Sequence, residues 1–205
     1  SVTTMKAMFS DCVALRDLSG YRSWDTHSLS QINYMFNKTL SLKTVDIRKW
    51  DLSNIVNSGW CFQNCAAKTI LLPDDLSVIS AGFLNHASRY AESSFEIPAG
   101  VKKIGYAHTF YDFGAADFAE FSVDKGNPNY KVLDGILYSA DGSQMLAIPR
   151  GKKFPDGVYE IPEGVTFLGE LSFSRNYNVK KVILPDSYVL RYVDLCDQDY
   201  ILFDD

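Results

Sequence analysis

The segment Met35–Leu42 reads MFNKTLSL, and it decides the fold because the chain repeats it. MFSDCVAL at Met8–Leu15 and CFQNCAAK at Cys61–Lys68 align with it, placing Phe at 9, 36 and 62, which are 27 and 26 residues apart. Trp24-Asp25-Thr26 and Trp50-Asp51-Leu52 return at the same spacing of 26. A period of about 20–50 residues marks stacked supersecondary units, because one unit this short cannot bury its own apolar face. The unit reads as a short helix or turn ending in Met-Phe, a bend at Cys or Thr, then a brief strand.

After Ile70 the wording changes while the pitch survives. ILLPDDLSVISAGFLN, FEIPAGVKKIGYAHTF, YEIPEGVTFLGELSFS and VILPDSYVLRYVDL share one template, a strand closed by Pro and a turn, with prolines at 73, 98, 162 and 185. Pro suits that place because it stops a strand ladder and starts a turn. The outer gaps are 25 and 23 residues, and the middle gap of 64 holds one further repeat, ending in FAEFSV at Phe118–Val123, plus an insert. The insert, NPNYKVLDGILYSADGSQMLAIPR at Asn127–Arg150, carries Asp-Gly pairs at Asp134-Gly135 and Asp141-Gly142. Asp-Gly between apolar runs signals hairpin turns. The spacing predicts an antiparallel meander from about Asn129 to Pro149. Ile136, Leu137 and Tyr138 sit centrally in it, and Met145, Leu146 and Ile148 lie on the returning strand. Because the pitch resumes at Tyr159-Glu160-Ile161-Pro162, the flanking repeats are expected to stack directly. The meander would then be a side element, replaceable by a Gly-Ser linker with the fold kept.

The totals narrow the function classes. At 205 residues, 46% hydrophobic and 22% charged, the chain is long enough for a buried core and is not a disordered sequence. Its 12 Tyr and 13 Phe favour strands over long helices. A net charge of −5 with scattered Lys and Arg offers no basic stripe for phosphates, so nucleic acid is not an expected partner. No apolar run is long enough to span a bilayer. The opening SVTTMKAMFSDC lacks the layout of a signal peptide and starts inside a repeat, which reads as a fragment or mature portion. Four Cys are far fewer than a disulfide scaffold uses.

Leu/Ile-Pro, EGV, LGELSFS and VKKVILPDS (Val179–Ser187) resemble the BspA-like leucine-rich repeats of bacterial surface proteins. MF..C..L with WD.S (Trp50, Asp51, Ser53) is similar to a sister repeat found in the same proteins, and the NPNY…DGILYS.DG insert resembles a recurrent element of that family. The tail DLCDQDYILFDD departs from the repeat and reads as a cap. The resemblance implies an α/β repeat solenoid, a right-handed β-α superhelix of leucine-rich repeats with an inserted antiparallel meander. It would form one unit over 1–205, with the first repeat type at 1–69, the second at 70–205 and the insert at about 124–153. It also implies an exported protein at the cell surface with adhesive roles.

Residues that bear chemistry are few. His27, His86 and His108 fall in different repeats, and no HExxH, GxSxG or P-loop occurs. A pairing of Cys12 with His27 is the remaining nucleophile option, but Cys12, Thr39 and Cys65 share one repeat position and read as a ladder of small inward residues. Cys61 and Cys65 stand one helical turn apart without the second pair that a zinc site needs. DKGNPN (Asp124–Asn129) and DLCDQD (Asp194–Asp199) are oxygen-rich but do not follow the EF-hand order, and Asp and Asn here read as turn formers. No catalytic residue, metal site or cofactor is expected. What remains is a binding module. Alternation along the strands puts Val45 and Ile47 inside and Asp46 outside. The same register puts Leu71, Glu96, Ser122, Glu160 and Ile183 in one exposed row. That mixture of acids and aliphatics suits a protein partner held by a monomer. A glycan-binding or glycan-active protein using exposed Tyr and Trp, with Trp24 and Trp50 converging, is the alternative, and a structural spacer is a third.

Overall fold

The structure, a computed structural model, describes residues 1–87, 93–105, 118–169, 172–173 and 176–188. Six short strands follow the repeat: β1 (Thr44–Asp46), β2 (Thr69–Leu71), β4 (Ser94–Ile97), β6 (Glu120–Val123), β10 (Val158–Glu160) and β12 (Lys181–Ile183). They pair parallel as β1 with β2, β4 with β6 and β10 with β12. A second row holds β3 (Val78–Ile79) parallel to β5 (Lys103–Ile104), and β9 (Gln144–Ala147) parallel to β11 (Phe167–Leu168). The insert supplies β7 (Tyr130–Leu133) and β8 (Ile136–Ser139), which pair antiparallel with each other, and β8 pairs antiparallel with β9.

The expected helical half of each unit is not helix. Among the described residues there is no α-helix, only the 3-10 turns Tyr21–Ser23 and Pro155–Gly157. The Met-Phe segments are chains of tight turns, and the reason lies in where their N–H groups go. In an α-helix each N–H bonds four residues back. Here alternate N–H groups cross to the neighbouring unit: Ala7 to Asn33, Phe9 to Met35 and Asp11 to Asn37, all at 2.9 Å. Tyr34, Phe36 and Lys38 repeat the pattern onto Gly59, Cys61 and Gln63. Left-handed residues at Ala7, Tyr34 and Trp60, and again at Asp11, Lys38, Asn64 and His86, let the turns follow one another.

The Phe spacing read in the sequence becomes a spine. Phe9, Phe36 and Phe62 stack at 5.6 and 5.2 Å between centroids, and the series runs on through Phe83, Phe95 and Phe118. It crosses the change of repeat wording at Ile70 without a break, since the buried cluster from Met5 to Phe121 includes Ile70 and Leu72. Trp50 is buried, stacks on Trp24 at 5.9 Å and donates its indole N–H to Tyr21 O.

The meander is where expectation and structure part. Its first turn is a two-residue hairpin, with φ of +46° at Asp134 and +71° at Gly135, the primed geometry that Asp-Gly favours. At the second turn the Asp141 carboxylate accepts from the Ser139 and Ser143 hydroxyls and the Ser143 N–H, which hold its pKa down at about 2. That stabilisation is present above the ordinary carboxylate pKa and fades only as pH falls toward 2. The strands, however, do not hang beside the solenoid. Leu137, Leu146 and Ala147 face the N-terminal cluster, whereas Ile136, Tyr138, Met145 and Ile148 build a second cluster with Tyr159, Ile161, Val165 and Val182. Phe121 N–H bonds Gly135 O, and the buried Tyr138 and Tyr159 hydroxyls bond each other. The meander is a shared wall between two cores, and β6 does not pair with β10. The expectation that the flanking repeats stack directly is therefore wrong. Alternation puts the two faces of β8 on different cores.

One device was not legible in the sequence. Asn127 is buried and donates its amide to Pro98 O and Val101 O at 2.8 and 3.0 Å, while its Oδ1 accepts from Asn129 N–H. Asn176 and Asn178 do the same for Pro149, Arg150 and Lys152. Each Asn-x-Asn clasps the carbonyls of the preceding Ile-Pro turn. Asn127→Ala removes one of two donors from each of Pro98 O and Val101 O and takes away the acceptor of Asn129 N–H, and urea titration is expected to show a loss of about 1–3 kcal/mol.

Candidate functional site

The strand register places the expected row as follows. Val45, Ile70, Phe95, Phe121, Tyr159 and Val182 point inward and are buried. The next position on each strand, Asp46, Leu71, Glu96, Ser122, Glu160 and Ile183, lies on the opposite side. Glu96, Glu160 and Ile183 are exposed, and Asp46, Leu71 and Ser122 are half-buried. Asp46 lies opposite the apolar Leu71 across the β1–β2 ladder. Its carboxylate holds Arg48 by two bonds of 2.9 and 3.0 Å, which push the guanidinium pKa further up.

Between β2 and β4 the strand row is interrupted. β1–β2 and β4–β6 are separate ladders, and a groove of about 310 Å³ opens beside Lys68, Leu71, Ser94, Glu96 and Ser122. A smaller recess of about 200 Å³ adjoins it, lined by Arg48, Leu71, Leu72, Asp74, Glu96, Pro98 and Asp124.

The nucleophile pairing is not assembled. His27 does not turn to Cys12: its Nδ1 faces Asp25 Oδ1, and Ser28 Oγ lies 2.9 Å from Nε2. His27 and Asp25 are 60% and 68% exposed, so this local cluster stands in solvent. Contact with His27 lowers the Asp25 pKa.

The small-residue ladder holds at two of its three rungs. Thr39 and Cys65 are fully buried, and the Thr39 hydroxyl bonds Cys65 Sγ at 3.1 Å. Cys12 is exposed, against expectation. Burial pushes the Cys61 and Cys65 thiols up, Cys61 more strongly. Cys196 lies outside the described residues. In native protein Cys12→Ser is expected to remove one equivalent of fast-reacting thiol with Ellman's reagent, whereas Cys61→Ser and Cys65→Ser retain it. Among the described residues no group of three or more His, Cys, Asp or Glu is placed to hold a metal ion. The oxygens of Asp124 and Asn127 in DKGNPN accept from Gly126 and Asn129 N–H groups, as turn formers do. DLCDQD lies outside the described residues.

The aromatic surface is not the one the tryptophan spacing suggested. Trp50 is buried and Trp24 is half-buried. Trp60, which stands outside the Trp-Asp spacing, is 37% exposed and stacks on Tyr34 at 5.4 Å with the rings 7° from parallel. Both residues have left-handed backbones. Gly82 occupies the next rung, and a Cβ there would lie 2.5 Å from the Trp60 Cδ1, so the missing side chain makes room for the ring.

Residues 1–72 match the family described as "Mycoplasma protein of unknown function, DUF285". Among curated proteins none matches significantly. The fold is similar to a leucine-rich cell surface protein of Faecalibacterium prausnitzii, with 25% identity and a TM-score of 0.67 over 92% of this chain and 46% of that one. It is also similar to the pneumococcal vaccine antigen PcpA, with 19% identity and a TM-score of 0.57 over 90% of this chain and 51% of that one. A leucine-rich-repeat protein of Eubacterium ventriosum matches at 17% identity and a TM-score of 0.50, over 76% of this chain and 40% of that one. The chain thus spans about half the length of these solved structures or less. The pitch, the parallel strand register and these likenesses together show a repeat solenoid whose fold is similar to that of leucine-rich-repeat cell surface proteins.

Proposed function

We propose that this chain is a non-enzymatic binding module displayed at the bacterial cell surface, and that it holds a protein partner on its outward strand row. The observation that carries the reading is the register. It pairs Asp46 with Leu71, Glu96 with Ser122 and Glu160 with Ile183, each pair on the side of its ladder away from the core, which supports reading the six as one row. Rigid frames lose little entropy on binding, and a surface of acids interleaved with aliphatics suits a protein more than a small molecule. The surface location rests on the leucine-rich cell surface protein that the chain resembles. In this reading residues 1–205 act as one unit, a right-handed superhelix and a monomer, with adhesion as its role.

A second reading, glycan binding, is favoured by one feature, the exposed Tyr34–Trp60 pair. The test is an array of immobilised host-surface proteins and glycans probed with the wild-type chain and with Trp60→Ala. Protein spots that bind both forms equally are the expected result. Binding confined to glycan spots and lost in Trp60→Ala would replace the leading reading with the second.

A further inference from the structure

Resting on the strand-face reading, we infer that the groove between β2 and β4 is the anchor point of that face and accepts a lysine or arginine side chain of the partner. The groove lies at one of the two places where the hydrogen-bonded row is broken, between the β1–β2 and β4–β6 ladders. Its lining mixes the apolar Leu71, Leu72 and Pro98 with three carboxylates, Asp74, Glu96 and Asp124. The cation at its rim, Arg48, is already engaged by Asp46. Lys68 lines the adjoining part of the groove, beside Thr69 and Ser94. The recess therefore offers carboxylates in excess over cations, beside apolar side chains.

Long cationic side chains match that combination. Their methylene stems cover apolar surface while the charged head stays in a polar rim. A neutral aliphatic side chain would leave the carboxylates without a partner, and an acidic one would be repelled. Glu96 borders both parts of the groove, so it is the residue on which recognition turns.

The probe is acetyl-Gly-Arg-Gly-amide, with the citrulline tripeptide as an uncharged control of the same shape. Titration into the full chain labelled with nitrogen-15 is expected to shift the amide signals of Leu71, Leu72, Glu96 and Ser122, with a Kd of about 1 mM or weaker. Citrulline is expected to leave them unmoved, and added salt to weaken the arginine effect. Glu96→Gln, an exposed substitution, is expected to weaken binding about fivefold with the rest of the spectrum unchanged. Equal shifts with citrulline, shifts elsewhere, or none would overturn the groove assignment. A protein found on the array whose binding is lost in Glu160→Lys but kept in Glu96→Gln would remove the groove and leave the strand face standing.

Discussion

Gly100→Ala is expected to abolish the cooperative fold. A Cβ at this position would overlap the Asp74 carbonyl oxygen and lie 3.1 Å from its carbon. Both are backbone atoms of the preceding repeat, in the turn that follows Pro73, so neither can rotate away. Relief requires the two units to separate, and separation opens the core that Leu72, Leu76, Ile97 and Val101 share, all of them buried. Overpacking of a tight interior commonly costs about 1–3 kcal/mol, and a backbone clash this close belongs above that range. Gly164 is the control. It sits in the matching IPEGV sequence with φ of +85° and nothing within 4 Å of its Cβ, so Gly164→Ala costs only the left-handed backbone, about 1–2 kcal/mol. Thermal unfolding by circular dichroism checks both. A Gly100→Ala melt close to wild type would show that neighbouring units are free to move apart.

Replacing residues 129–149 with a Gly-Ser linker is expected to be as severe, and it reverses what the sequence pitch suggested. The excision removes seven buried hydrophobic residues, Ile136, Leu137, Tyr138, Met145, Leu146, Ala147 and Ile148, from two cores at once. At about 1.5–3 kcal/mol for each large side chain, the loss is comparable with the entire stability of an ordinary domain, about 5–15 kcal/mol. It also takes away β9, the parallel partner of β11, and the Tyr138 hydroxyl that bonds Tyr159. Near-ultraviolet circular dichroism is expected to collapse. A cooperative transition retained in the linker variant would return the meander to a side element.

Much of the architecture was legible because repetition constrains it. A ring recurring at 9, 36 and 62 must meet its own copies if the units stack, and the spine from Phe9 to Phe62 does so. Strand alternation likewise marked Val45 as inward, while Asp46 beside it is half-buried where the alternation suggested exposure. Three things were not legible. Whether a Met-Phe segment is helix or turn depends on which neighbour takes its N–H groups, and that neighbour is 25 or 26 residues away. The meander's two-sided burial is invisible in its pattern, because a strand walled by core on both faces loses the alternation that marks a half-exposed one. IPAGV and IPEGV read alike although one glycine is pressed against backbone and the other is free. In the candidate site, alternation told the side of each strand but not the exposure, since Asp46, Leu71 and Ser122 are half-buried, and the break between β2 and β4 and the exposure of Trp60 arise only from packing.

The strand row as a protein-binding surface is tested most directly by one affinity measurement. The protein that binds most tightly on the array is titrated by surface plasmon resonance against wild type and against the double variant Glu96→Lys, Glu160→Lys. Both positions are exposed, so the fold is expected to persist, while two acids of the row become cations. Charge reversal at an interface of complementary potential is expected to weaken binding at least about tenfold. Unchanged affinity in the double variant would contradict the assignment and place the binding surface elsewhere on the solenoid.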